Sequence, residues 1–99
     1  MKLLCAVWDK KSQSYGNVMS LDHEAVAVRE FRAAVEQDRS PLAKYHEDFE
    51  LHQVGLLQDS ALLPGEQPVS GIEPRVIITA SAVVAMMKPN GQLELLKEA

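Results

Sequence analysis

Residues 22–37 read DHEAVAVREFRAAVEQ and carry the clearest helical pattern in the chain. Apolar side chains recur there at three- and four-residue spacing, at Val28, Phe31 and Val35. This spacing is typical of a helix with one buried face. We expect the helix to end at Ser40-Pro41, because the residue before a proline avoids helical torsions. The stretch therefore predicts one amphipathic helix that packs on another layer of the fold.

The sequence also predicts where this helix begins and which charged side chains pair on its polar face. Asp22 can cap the first turn, because its carboxylate can accept the free amide protons there. Leu21 and Val26 flank that cap at the spacing of a hydrophobic staple. Arg32 lies one turn before Glu36, which allows an ion pair on the exposed face. We therefore expect the helix to begin at Asp22.

The segments around the helix have the composition of strands. Apolar or β-branched runs predict strands at Lys2–Trp8, Tyr15–Met19, Phe49–Leu57 and Arg75–Thr79. Residues 58–73 contain prolines and glycines, so we expect a loop there. Residues 80–87, ASAVVAMM, fit a strand or a helix, and a turn at residues 88–91 precedes a short tail helix that starts at Asn90.

The order strand, strand, helix, strand, loop, strand predicts an α+β fold. One main helix would cover one face of a small antiparallel sheet. A chain of 99 residues corresponds to a single domain, residues 1–99. The other face and the sheet edges would be free for a second copy of the chain. We therefore expect a homo-oligomer, a dimer in the simplest case.

The bulk composition excludes several classes of protein. An apolar content of 46% and a charged content of 24% are typical of a globular domain. The net charge of −4 counts against a dedicated nucleic-acid binder, which usually carries a basic excess. Cys5 is the single cysteine, which excludes an intramolecular disulfide and fits a reducing cytoplasm. No apolar run approaches the length of a membrane span, so we expect no membrane partner.

Residues 44–55, KYHEDFELHQVG, combine histidines with acids and invite a search for a metal or catalytic site. If residues 49–57 form a strand, His52 shares a face with Glu50, whereas Phe49 and Leu51 point inward. His46 falls in the preceding loop, so no set of three or four ligands converges. The acids lie in a polar run and Cys5 lies in an apolar one, which favours neither acid–base nor thiol catalysis. We expect no catalytic residues, no metal and no cofactor.

Basic and aromatic side chains leave nucleic-acid binding open. Arg29 and Arg32 lie on one helix face, and Tyr15 is close enough in sequence to two lysines to stack on a base. Trp8 fits the core better than it fits a binding surface. The candidate nucleic-acid-binding residues are Lys10, Lys11, Tyr15, Arg29, Arg32, Arg39 and Lys44. The alternative interpretation of these charges is a solvated surface of mixed sign.

Two longer stretches, AVWDKKSQSY at residues 6–15 and AVREFRAAVEQDRSPLAKYHEDFELHQVG at residues 27–55, carry a family resemblance. The chain resembles the small nonstructural protein of gokushoviruses, single-stranded DNA phages of the microvirus group. Members show an Arg-x-Phe helix, a short Asp/Ser/Pro loop, a His-Pro-Glu-Asp-Tyr-like box and an apolar strand that ends in glycine. The matching positions are Arg29, Phe31, His46, Glu47, Asp48, Phe49, Leu51 and Gly55. This chain lacks the proline after His46 and has Phe49 in place of the tyrosine.

The resemblance implies a phage protein made in the cytoplasm of the bacterial host and absent from the virion. It also implies a non-enzymatic, accessory role in genome replication, with single-stranded DNA as the expected partner. The alternative is a protein–protein adaptor that binds the phage initiator or a host replication factor. Such an adaptor would use a sheet edge or residues 83–87, VVAMM, because methionine adapts to irregular contacts.

Overall fold

The computed structural model describes residues 1–58 and 62–87 of the chain. These residues form five strands, three α-helices and one 3₁₀ turn at His46–Asp48. In chain order the elements are β1 (Lys2–Asp9), β2 (Ser14–Tyr15), β3 (Met19–Leu21), α1 (Glu24–Glu36), α2 (Pro41–Lys44), β4 (Phe49–Leu57), β5 (Val69–Thr79) and α3 (Ala80–Met87).

The five strands form one antiparallel sheet with β1 in its interior. The strand order is β2-β1-β4-β5, and β3 pairs with the other end of β1, on the side where β2 lies. The predicted α+β class, with one main helix on a small antiparallel sheet, is confirmed. The predicted strand at Tyr15–Met19 is wrong as a single element, since residues 16–18 are not in a strand and separate the two short strands β2 and β3. The structure also adds the short helix α2 to the predicted order.

The core lies between α1 and one face of the sheet. Ala27, Phe31 and Val35 of α1 are fully or almost fully buried, and Leu51 of β4 meets them from the sheet. Burying a side chain of this size stabilises the fold by about 1.5–3 kcal/mol. Cys5 lies in the same cluster, and burial raises the pKa of its thiol.

The start of α1 differs from the prediction. The helix begins at Glu24 after His23, whose side chain makes no capping hydrogen bond, so the predicted cap at Asp22 is wrong. Asp22 instead lies 3.8 Å from the amine of Lys2 in an exposed ion pair. The helix ends at Glu36, ahead of Ser40, and the chain turns through Arg39 at φ 59°.

The predicted loop at residues 58–73 is too long by its last residues, since β5 already begins at Val69. Pairing with β4 outweighs the turn-forming composition of this segment, because Leu57 pairs with Val69 and Gly55 with Gly71. The register shifts between Gln53 and Gly55, which marks a β-bulge or irregularity at this point of the ladder. A Cβ atom at Gly55 would lie 2.7 Å from the carbonyl oxygen of Ser70, so this close approach of strands requires glycine.

The segment 80–87, which fitted a strand or a helix, is the helix α3. Ala80 and Val83 of this helix are buried against the core. The turn at residues 88–91 and the tail helix from Asn90 lie outside the described residues. Within residues 1–58 and 62–87, no helix is long and apolar enough to cross a membrane.

Candidate nucleic-acid interface

The structure divides six of the seven predicted binding residues between two regions and places Arg39 in neither cavity. Arg29 and Arg32 lie on the outer surface of α1, where they line a shallow cavity with other residues of the same helix. Lys10 and Lys11 lie in the turn after β1, and Lys11 shares a cavity with Lys44. Tyr15 lies in β2, directly after that turn, and Arg39 follows α1 as an exposed residue.

Strand pairing explains why lysines far apart in sequence meet. The ladder between β1 and β4 ends with Asp9 opposite Phe49. One residue further, the backbone N–H of Lys10 donates to the carbonyl oxygen of Asp48 over 2.8 Å. The turn after β1 is thereby held against the segment that connects α1 to β4. Lys11 and Lys44, which are far apart in the sequence, therefore lie together at this end of the sheet and not on the surface of α1.

Two cavities open at this end of the sheet, with volumes of about 320 Å³ and 260 Å³. They share Lys11, Tyr45 and Asp48, so we treat them as one site and call it the Tyr45 groove. The residues that line the Tyr45 groove are Asp9, Lys11, Lys44, Tyr45, His46, Glu47, Asp48 and Phe49.

Tyr45 is the exposed aromatic side chain of the groove and was not among the predicted residues. Its side chain is 51% exposed, and the amine of Lys44 lies 5.3 Å from the ring centroid, within cation–π distance. The hydroxyl of Ser40 caps α2 by accepting the N–H of Leu42, and this short helix ends directly before Tyr45. The backbone N–H of Tyr45 donates to the carbonyl oxygen of Pro41 over 2.9 Å, and the carbonyl oxygen of Tyr45 accepts the N–H of Asp48. The backbone that carries the ring is therefore fixed.

The cations of the chain differ in whether a carboxylate neutralises them. Among described residues, five ion pairs join a lysine or arginine to a carboxylate: Lys2–Asp22, Lys10–Glu50, Arg29–Glu30, Arg32–Glu36 and Arg75–Glu24. The predicted pair between Arg32 and Glu36 is confirmed at 3.5 Å. Among residues 1–58 and 62–87, Lys11, Lys44 and Arg39 have no carboxylate within ion-pair distance. Two of these three unpaired cations line the Tyr45 groove.

A polar and aromatic network covers part of the sheet face opposite α1. The rings of Trp8 and Tyr15 lie 4.8 Å apart, and both rings contact the ring of His52. Trp8 is half-buried on this face, so its predicted place in the core is wrong. The strand phase predicted for residues 49–52 is confirmed, since His52 contacts Glu50 while Phe49 and Leu51 pack in the core.

The hydrogen bonds of His52 define its role in this network. Its Nε2 lies 2.8 Å from Glu50 Oε1, and its Nδ1 lies 2.8 Å from the Tyr15 hydroxyl. If Nε2–H donates to the carboxylate, Nδ1 is left to accept the hydroxyl proton. The hydrogen bond from His52, and next the amine of Lys10, hold the pKa of Glu50 below its usual range. The side chains of Tyr15, His52 and Glu50 each have a partner in this network, as expected for polar groups that are partly buried.

The second histidine is engaged elsewhere. His46 Nδ1 lies 2.9 Å from the hydroxyl of Ser81 in the first turn of α3, and that hydroxyl also lies 3.3 Å from the His46 carbonyl oxygen. This contact ties the segment before β4 to α3. In the described part of the chain, no group of three or more His, Cys, Asp or Glu side chains is arranged to hold a metal ion.

Comparison with known proteins gives one match. The family model described as Phage ORF5 protein matches residues 2–83. No curated protein and no solved structure matches the chain. The matched range contains all five strands, α1, α2 and the complete lining of the Tyr45 groove.

Proposed function

The chain belongs to the Phage ORF5 protein family, and on that premise we propose that it is a non-enzymatic accessory of phage genome replication that binds single-stranded DNA. In the finer form of this proposal, it is the small nonstructural protein of a gokushovirus. It would then act in the cytoplasm of the bacterial host and be absent from the virion. The resemblance through residues 6–15 and 27–55 supports this form.

One observation carries the DNA-binding proposal: two unpaired lysines, Lys11 and Lys44, line the same groove as the exposed ring of Tyr45. Lysine contacts to phosphates supply most of the sequence-independent affinity for nucleic acid. An aromatic ring that stacks on a base adds about 1–3 kcal/mol and accepts any base. A groove with both features is suited to an unpaired strand, whose bases are free to stack.

The sheet face opposite α1 offers a continuation of this surface within the part of the chain that the structure describes. Tyr15 is 37% exposed beside Trp8, and Lys10 lies in the sequence between Asp9 and Lys11, which both line the Tyr45 groove. Sheets that bind single strands commonly present aromatic rings on such a face. Tyr15 and Lys10 of the predicted set therefore remain part of the proposed interface. Arg29 and Arg32 are left outside it, because they line a separate cavity on α1.

The test of the proposal is a titration of a labelled single-stranded oligonucleotide, followed by fluorescence anisotropy. The net charge of −4 opposes a polyanion at long range, so we expect moderate affinity at 50 mM salt. Binding should weaken steeply toward 200 mM salt. A duplex of the same length should bind less tightly, since its bases cannot stack on Tyr45. Absence of binding at 50 mM salt would refute the proposal.

A protein–protein adaptor is the second candidate function. β5 forms one edge of the described sheet, and Val69 and Val76 on it are 53% and 48% exposed. Met86 and Met87 are also exposed, whereas Val83 is buried and is not available to a partner. If the adaptor function holds, Met86→Asp should abolish phage replication, while charge reversal of Lys10 and Lys11 should leave it intact. The opposite pattern would support DNA binding.

The expected dimer remains a proposal that the same edge supports. A second copy pairing along β5 would cover its exposed valines. However, Pro74 and the irregular register beside Gly55 interrupt this edge, and such features commonly protect edge strands. Sedimentation of the full chain at several concentrations decides between monomer and dimer. A mass that stays monomeric at the concentrations of the binding assay would refute the dimer.

A further inference from the structure

The Tyr45 groove contains unpaired acids as well as unpaired lysines. The carboxylate of Asp9 accepts the backbone N–H groups of Lys11 and Ser12, so the turn already uses it. Glu47 and Asp48 differ, because within residues 1–58 and 62–87 neither carboxylate has a hydrogen-bond or ion-pair partner. Asp48 lines both cavities of the groove, whereas Glu47 lines one of them. A channel for phosphates alone would not carry such a carboxylate, since the two charges repel each other.

The backbone on both sides holds Asp48 in place. Its N–H donates to the carbonyl oxygen of Tyr45 over 2.9 Å, and its own carbonyl accepts the N–H of Lys10 over 2.8 Å. The residue is half-buried. The backbone position of Asp48 is thus fixed, and its carboxylate is a hydrogen-bond acceptor on the same groove lining as the ring of Tyr45 and the two lysines. The chemistry that suits this acceptor is an N–H donor on the edge of a flat, stacked ring.

We propose that the Tyr45 groove is a base-selective nucleotide site, in which a base stacks on Tyr45 and Asp48 accepts a hydrogen bond from its amino group. Lys11 and Lys44 contact the flanking phosphates. This proposal rests on the proposed function and adds base preference to it. Carboxylates accept hydrogen bonds from the amino group of cytosine, whereas thymine presents a carbonyl oxygen at that position. Cytosine is therefore favoured over thymine.

The arrangement also explains how an acidic chain can bind DNA usefully. Carboxylates that repel phosphates inside the groove keep the backbone at the lysines, so the base enters. The negative charge of the groove lowers the overall affinity for DNA, but it increases the difference in affinity between one base and another. Specificity is a difference of affinities, and a repelled alternative contributes to it as much as an attracted ligand.

The experiment compares two oligonucleotides whose bases differ only at position 4 and at N3. Oligomers of 5-methyl-deoxycytidine and of thymidine have the same ring size and the same methyl group. The cytosine base carries a 4-amino group and an unprotonated N3, whereas thymine carries a 4-carbonyl and an N3–H. We expect the wild-type chain to bind the cytosine oligomer about 3–10-fold more tightly at 50 mM salt, as a single base-edge contact allows. Tyr45→Ala should weaken both complexes about tenfold, and Tyr45→Phe should restore most of that loss.

Asp48→Asn is the decisive variant, and Glu47→Gln is its matched control. Each removes one negative charge, so each should raise the affinity for the thymidine oligomer by a similar small factor. Asp48→Asn should reduce the preference to less than about twofold, because an amide can pair with either base. Glu47→Gln should keep the preference of the wild-type chain. Circular dichroism of each variant checks that the fold is retained.

The outcomes separate this proposal from the proposed function. If the wild-type chain binds both oligomers equally, or if Asp48→Asn keeps the wild-type preference, base selection by Asp48 is wrong while DNA binding stands. If neither oligomer binds the wild-type chain at 50 mM salt, the proposed function fails and the base-selective site fails with it.

Discussion

Two pairs of cations in this chain have opposite surroundings. Arg29 and Arg32 lie on the outer surface of α1, 3.8 Å and 3.5 Å from glutamates of the same helix. Lys11 and Lys44 come from distant segments, have no acidic partner among the described residues and line the same groove as Tyr45. The comparison teaches that two cations on one helix face are weak evidence of a binding site, because helix spacing supplies their counter-charges as readily.

Charge reversal gives the sharpest test of this difference. Lys11→Glu with Lys44→Glu changes the net charge by the same amount as Arg29→Glu with Arg32→Glu, so long-range repulsion of DNA is equal in the two variants. We expect the lysine variant to lose at least about tenfold in affinity beyond the arginine variant, since it also loses two local phosphate contacts. Anisotropy titrations at 50 mM salt measure the difference.

Stability must be compared in parallel. The arginine variant places new acids beside Glu30 and Glu36, which costs a few tenths of a kcal/mol per pair (about 0.2–0.5) on an exposed helix. Both variants should therefore fold, as urea unfolding would confirm. Equal loss of affinity in the two variants would show that binding responds only to net charge and that the Tyr45 groove has no special role.

The sequence predicted the elements whose pattern is local. The apolar spacing of Phe31 and Val35 predicted α1, and the bounds of β4 agree with the prediction at both ends. The first residues of β5 were missed because the glycine and proline there favour a loop. In the structure, hydrogen-bonded pairing with the long strand β4 outweighs this low strand propensity. The segment 80–87 stayed ambiguous because its adjacent valines favour a strand and its alanines favour a helix.

The site was only partly predictable, because the groove depends on strand pairing. Lys11 and Lys44 were each selected, but nothing in local spacing shows that they meet. Tyr45 was missed because it follows a helix of four residues that no periodicity marks. A signal did exist: antiparallel pairing of the first strand with residues 49–57 would place the turn after Asp9 beside Tyr45.

Salt dependence gives a second test of the same comparison, with a smaller effect. Each phosphate contact to a single strand contributes about 0.7 to the slope of log affinity against log salt. Lys11→Gln with Lys44→Gln should therefore lower the slope by about 1.4, which amounts to about sevenfold between 50 and 200 mM salt. Arg29→Gln with Arg32→Gln should leave the slope unchanged. A slope that falls equally in both variants would mean that the helix arginines also contact phosphates.

Lys10 tests whether an ion pair with a carboxylate prevents a lysine from binding DNA. It is adjacent to Lys11 in the chain, but its amine lies 3.3 Å from Glu50. Glu50→Gln releases this lysine and removes a negative charge, so we expect affinity for single-stranded DNA to rise about two- to threefold at 50 mM salt. Glu30→Gln, which releases Arg29 on α1, is the matched control and should have a smaller effect. Equal gains would indicate that position does not matter.

The smallest expected effect is the loss of folding stability at acidic pH, which depends on the carboxylate of Glu50. The pKa of Glu50 is lowered in the fold by the hydrogen bond from His52 and by Lys10, so its ionised form stabilises the native state. That contribution is complete above the ordinary glutamate pKa of about 4.3, and it is lost as the pH falls through the lower folded pKa. Urea unfolding at pH 5, 4 and 3 should therefore show a steeper loss for the wild-type chain than for Glu50→Gln. Tyr15→Phe keeps the contact between His52 and Glu50 and should retain the wild-type slope, whereas parallel slopes for wild type and Glu50→Gln would show that this network leaves the titration of Glu50 unperturbed.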